Sequence, residues 1–347
     1  MNHRQTVKQF TAIDLAKFIC SLLVVFIHTT PLVNISEAAN FFATNILARV
    51  AVPLFFAISG FLFFGKLSYC NEKISGDGDN LRRLLSYCKR NTLLYLGWSV
   101  VYLAVIYIPM WHRTGWWDIH VVKDALASLL FSGIHYHLWY LLAMIYAIPL
   151  LYAMLRLLSR KKVRWIAAIL WVGECLTYSY SWIFPDSFPL VSFLLSRMPI
   201  VFDAGFRAVP LLFVGAVIAL DPPDWNRKKT YILCTVSFLM CAVEATALHL
   251  YSPNTNQYSY LFSTPLLAFS WLFCIVQFGQ DLLPEAGARL LRNMSLTIYC
   301  FHPLIIEAVD VWGIPGGVLK WLTVTALSAA ISAAYAWFQI PNRKNGR

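Results

Sequence analysis

A lysine and a histidine lie eleven residues apart in one apolar run, Lys17-Phe-Ile-Cys-Ser-Leu-Leu-Val-Val-Phe-Ile-His28. At about 100° per residue that spacing makes roughly three whole turns, so both side chains fall on one helix face about 16 Å apart. An imidazole takes and returns a proton near neutrality, and a fixed cation in a dry site stabilises developing negative charge. The pair therefore puts a proton-exchanging group and a fixed cation on one face of a single span, which a membrane helix has little reason to carry.

The run belongs to a membrane helix. Hydrophobic residues make up 59% of the chain and charged residues 13%, and long apolar stretches recur from Phe10 to Ile340. This composition predicts an all-α, polytopic membrane protein forming a single transmembrane domain over residues 1–347. Ten spans are predicted, near 11–33, 41–65, 92–110, 138–156, 163–182, 204–220, 230–250, 260–279, 294–312 and 317–338. The first lacks a small-residue cleavage site and reads as a retained span rather than a signal peptide.

With the N-terminus inside, the cytoplasmic segments collect 22 of the 28 basic residues, leaving Arg49, Arg113, Lys123, Arg197, Arg207 and Lys320 for the outer half. The positive-inside rule thus supports a multi-pass plasma (inner) membrane protein with both termini cytoplasmic. The same asymmetry accounts for the formal charge of +11 as topology and contact with anionic membrane lipid, and no soluble basic module for nucleic acid is expected. The eight cysteines show no paired spacing in an outer loop, so neither a disulfide framework nor a metal site is indicated.

Chemistry must then come from ionisable groups inside the spans, each costing about 2.5–3.5 kcal/mol on insertion scales. These are Asp14, Lys17, His28, Arg49, Glu174, Glu244, His302, Glu307 and Asp310. Bland readings stand beside the functional ones. Asp14 and Lys17 are spaced i,i+3 and equally form a neutralised pair at the boundary, with the lysine snorkelling. Ser59 and Gly60 suit close helix packing, and Glu174 and Glu244 suit buried neutral carboxyls.

Five segments, in chain order, resemble the integral-membrane acyltransferase-3 family. Asp14-Leu-Ala-Lys17 followed by His28 is similar to its first span, where an arginine stands in place of Lys17. Arg49-Val-Ala-Val-Pro-Leu-Phe-Phe-Ala-Ile-Ser-Gly-Phe-Leu62 resembles its second. Lys89-Arg90-Asn-Thr-Leu-Leu-Tyr95 resembles its basic entry to the third, and His137-Leu-Trp139-Tyr140 the start of its fourth. Ile298-Tyr-Cys-Phe-His302-Pro303 resembles the motif near its ninth. Replacement of the arginine keeps the charge but loses the planar fork for bidentate bonding. A second departure is the insertion of Gly76-Asp-Gly-Asp79 before a basic stretch spread over Arg82, Arg83, Lys89 and Arg90.

The resemblance implies transfer of an acyl group, usually acetyl, from cytoplasmic acyl-CoA to a hydroxyl of a carbohydrate or lipid-linked envelope acceptor. It implies acetyl-CoA or another acyl-CoA as co-substrate and no metal. His28 would be the catalytic base near the midplane, kept neutral by burial, or the carrier of an acyl-imidazole relay. Asp14 would orient Lys17. Arg49, Arg82, Arg83, Lys89 and Arg90 are the candidates to meet the donor's phosphates. His137, Trp139, His302 and Glu174 are the candidates on the acceptor side, with Pro303 breaking the ninth helix to line a cavity. Residues 110–137, rich in Trp and His, read as an outer docking loop.

Residues 48–53 also resemble the membrane half of the membrane-bound serine racemases of vancomycin resistance, regarded as moving serine outward. Only Pro341 to Arg347 follow the last predicted span, so no racemase domain is expected there. A transporter of a small polar solute such as serine is therefore the alternative reading.

Overall fold

The computed structural model describes residues 11–115, 119–183, 189–252, 258, 260–279 and 282–339. Arg4, Lys8, the basic C-terminal residues and Trp116 and Trp117 of the expected docking loop lie outside them.

Among the described residues, the regular structure is helical apart from one two-stranded hairpin. Its helices are α1 (Thr11–Thr29), α2 (Glu37–Phe41), α3 (Ala51–Phe64), α4 (Gly78–Tyr102), α5 (Ile108–Thr114), α6 (Ile119–Phe131) and α7 (Trp139–Leu157). They continue as α8 (Arg160–Thr177), α9 (Pro189–Arg197), α10 (Val209–Leu220), α11 (Arg227–Tyr251), α12 (Thr264–Phe278), α13 (Glu285–Val311) and α14 (Val318–Gln339). Three π-helical segments interrupt the spans, at Phe42–Leu47, Leu103–Tyr107 and Val201–Ala208, and a 3-10 turn, Ala48–Val50, leads into α3.

Among the described residues, eight helical segments are long and apolar enough to cross a membrane. The other two predicted spans are helical but different. α12 has 15 residues, short of the roughly 20 a perpendicular span needs. α8 carries Arg160, Lys161, Lys162, Arg164 and Glu174, too many charges for a simple apolar span.

Two regions expected as loops are ordered. Tyr69–Cys70 and Lys73–Ile74 form the hairpin, turned through Asn71 and Glu72, both at positive φ as a tight two-residue turn requires. The inserted Gly76-Asp-Gly-Asp79 starts α4: Asp77 is its N-cap and accepts from the Asn80 backbone N–H at 2.9 Å. The helix thus begins well before the predicted third span. The segment expected as an outer docking loop contains α5 and the 13-residue α6.

Cα packing groups the chain into two compact units. The first comprises Met1–Phe55, Asp224–Ala245 and Leu266–Arg347; the second comprises Phe56–Pro223 and Thr246–Pro265. In the first, α1, α13 and α14 enclose a core of Val25, Met294, Ile298, Ile305, Ile306, Val309, Val324 and Ala336. The Ala48–Val50 turn packs on α1. In the second, α10 packs against the α3 residues Ala57 and Phe61 through glycine. A Cβ at Gly215 would collide with the carbonyl oxygen of Ala57, and one at Gly60 with that of Leu212. Gly60 is therefore a packing residue, and Ser59 spends its hydroxyl on Tyr140 OH at 3.2 Å.

Candidate functional site

Asp14 is buried in the first turn of α1, and its carboxylate is held by a residue that the sequence reading passed over as merely basic. Arg292 of α13 donates from Nε to Oδ1 at 2.9 Å and from Nη2 to Oδ2 at 2.6 Å. The bidentate fork that lysine cannot supply at position 17 comes instead from another helix. Lys17 is half-buried, and its carbonyl accepts from Ser295 Oγ at 2.9 Å, a second tie between α1 and α13.

α1 continues unbroken from Lys17 to His28, so the two do share one face across three turns. His28 lies in the last turn and is exposed, not buried as expected. It stacks on the ring of His302 with centroids 5.4 Å apart and planes inclined by 24°. Contacts of residue 14 with 292, 17 with 295 and 28 with 302 show that α1 and α13 run parallel.

His302 is fully buried. Its Nδ1 lies 3.0 Å from the carbonyl oxygens of both Ile298 and Tyr299. Pro303 has no N–H, so the Tyr299 carbonyl four residues earlier loses its helical donor; the His302 ring replaces it. Two carbonyl acceptors require a proton on Nδ1, which leaves Nε2 as the basic nitrogen of the neutral ring. α13 accordingly runs through Pro303 to Val311, and the broken helix expected there does not occur.

Arg49 is half-buried in the 3-10 turn against α1. Arg82, Arg83, Lys89 and Arg90 are exposed on α4, in the second unit. Seven residues separate 82 from 89 and 83 from 90, close to two helical turns, so they form one exposed basic stripe rather than a dispersed loop. Arg82 pairs with Asp79 at 3.0 Å and Arg90 lies over the Tyr87 ring at 5.6 Å. Asp310, counted above as intramembrane, is half-exposed and pairs with Lys320 at 2.6 Å.

The second unit holds two clusters. His137 is buried at the mouth of α7, beside the Tyr102 ring at 5.0 Å and the His135 ring at 5.5 Å. His135, which no motif marked, stacks on Tyr102 at 4.4 Å and meets Tyr107 OH through Nδ1 at 3.1 Å. Burial pushes its imidazole down to about 4, so it is neutral at ordinary pH.

The other cluster gathers round Glu174, which is fully buried on α8. Glu174 Oε1 accepts from Arg207 Nε at 2.7 Å, and Asp203 Oδ1 accepts from Arg207 Nη1 at 2.5 Å. The guanidinium lies over Tyr260 at 3.9 Å, Trp139 at 4.9 Å and Tyr178 at 5.0 Å. Asp203 and Arg207 sit on the π-helical segment Val201–Ala208, and Gly173 lets α8 come close to it, since a Cβ there would meet the Phe206 ring. The sequence reading placed Arg207 in the outer half without a role and left Asp203 aside; their i,i+4 spacing was the available signal.

An all-helical, polytopic membrane protein with a parallel helix pair that joins an anchored ion pair to two stacked imidazoles is the class defined so far. The acyltransferase-3 family, described as an acyltransferase domain, matches residues 10–337. The chain belongs to that family, a membrane acyltransferase class in general terms. It is also 32% identical over 228 residues, 65% of its length, to an amino-acid racemase of Enterococcus faecalis. A serine/alanine racemase of Enterococcus gallinarum is 28% identical over 297 residues, 85% of the chain. The chain spans only 30% and 40% of these two relatives. No solved structure matches.

Proposed function

We propose that the protein transfers an acyl group, acetyl in the simplest case, from cytoplasmic acyl-CoA to a hydroxyl of a cell-envelope carbohydrate or related acceptor. The observation that carries this reading is the stacked His28–His302 pair in a chain of the acyltransferase-3 family. His28 is the general base: it takes the acceptor's proton as the hydroxyl attacks the thioester carbonyl and passes it to the departing thiolate. The Asp14–Arg292 pair fixes α1 against α13 and so sets where the rings meet. Lys17 and Arg49 stabilise negative charge on the donor.

Thiol release from acetyl-CoA by the purified protein in lipid, wild type beside His28→Ala, tests the reading. Release that disappears in the variant supports it; no release from the wild type, even with envelope extract, removes it. The racemase names of the relatives favour a second reading, movement of a small polar amino acid such as serine without acyl transfer. Serine flux into vesicles that is indifferent to acyl-CoA would establish that reading instead.

A further inference from the structure

The Glu174–Asp203–Arg207 cluster contains two carboxyl groups and one guanidinium in a closed space. Exposure is 0% for Glu174, 4% for Arg207 and 8% for Asp203. With both carboxyls ionised the cluster carries a net charge of −1 away from water, a state whose desolvation cost the single guanidinium does not offset. Among the described residues, the guanidinium of Arg207 is the cation paired with either carboxyl. α10 and the Ser181–Ile183 turn bring no charged residue, α7 brings the Trp139 ring, and the other titratable groups facing the cluster are the phenols of Tyr178 and Tyr260. The aromatic faces over Arg207 add negative potential rather than positive.

One atom is unaccounted for. Glu174 Oε2 is buried and has no hydrogen-bond partner among the described residues, while Oε1 is held by Arg207. An ionised carboxylate with one oxygen in that state would lose its solvation without replacement. Among the described residues no group of three or more His, Cys, Asp or Glu side chains is arranged to hold a metal ion.

We propose that Glu174 is a proton-binding site, with an exchangeable proton on Oε2 that makes the cluster neutral and leaves Arg207 and Asp203 as the remaining ion pair. Uptake forms one O–H bond at Oε2 with a proton drawn from water and breaks no other bond in the protein. Release restores the second negative charge and tightens Glu174 on Arg207, so proton occupancy is linked to the π-helical segment that carries Arg207. The site stands on its own geometry and does not depend on the acyl-transfer reading.

Infrared difference spectroscopy of the full-length protein in lipid, titrated from neutral to alkaline pH, tests it. The expected result is a protonated-carboxyl carbonyl band at neutral pH that disappears on alkalinisation, shifts when glutamate is labelled with carbon-13 at its carboxyl, and is absent from Glu174→Gln. Asp203→Asn, which makes the cluster neutral without a proton, loses the band at neutral pH while keeping Glu174, and serves if Glu174→Gln does not fold. Absence of the band from the wild type, a band unmoved by glutamate labelling, or one that survives Glu174→Gln would overturn the proposal.

Discussion

The His28–His302 pair of the first unit and the Glu174–Asp203–Arg207 cluster of the second are both made of ionisable groups on apolar helices, but their construction differs. The first has one ring exposed and the other pinned by its own helix through two backbone carbonyls. The charges that anchor it, Asp14 and Arg292, are kept about four turns away along α1 and about three along α13. The second has its charges in direct contact, closed over by three aromatic rings. A group that must meet a reactant needs access and a neutral, basic nitrogen. A group enclosed with its counter-charges instead makes its own surroundings rigid and is sensitive to any change in charge count.

This contrast predicts that variants of the first centre lose turnover while variants of the second lose the fold. His28→Ala should lower acyl transfer by about two to four orders of magnitude, the range for a general base, with an unchanged melting temperature in lipid or detergent. A large loss of thermal stability in this variant would break the comparison. Arg207→Ala leaves two buried carboxyls without their cation and should destabilise the protein by about 3–5 kcal/mol, the cost of removing one partner of a buried pair; thermal unfolding followed by tryptophan fluorescence measures it. A fully stable Arg207→Ala protein would break the comparison from the other side.

Smaller effects sharpen it. Gly215→Ala forces α10 away from Ala57 and should cost about 1–3 kcal/mol, as overpacking does, read as a lower melting temperature. Arg292→Lys keeps the charge but loses the fork. Because the Arg292 side chain is 51% exposed, solvent screening limits the loss to about 1 kcal/mol, and a double-mutant cycle with Asp14→Asn isolates it.

A pH dependence tests the second unit in another way. The folded chain holds His135 neutral down to about pH 4, below its ordinary value of 6.5. Below pH 6.5 the unfolded chain gains a proton that the folded one refuses, so the stability present above that pH is lost progressively as pH falls toward 4. His135→Asn should flatten that acid limb of the melting curve, and an unaltered limb would show that the imidazole is not held neutral.

What the sequence by itself determined lies within single helices. Apolar run length places the spans, and three turns between Lys17 and His28 put both on one face because α-helical periodicity is a property of the local backbone. The motif order of the acyltransferase-3 family carried the general class for the same reason, each motif lying in one segment. Local chemistry also made the Gly76-Asp-Gly-Asp79 cap of α4 readable, although the segment was expected as part of a dispersed loop. Only the tertiary structure decided which faces meet. Asp14 finds Arg292 from 278 residues away, and no periodicity on α1 specifies a partner on α13. Glu174 reaches Arg207 because Gly173 permits close approach and a π-helical segment turns Asp203 and Arg207 onto one side. His302 keeps its helix intact because its own ring takes the carbonyl that Pro303 releases. Hydrophobic burial selects helices without regard to partner, whereas hydrogen bonds and ion pairs are directional and short-ranged. The pairings therefore follow from how the helices pack.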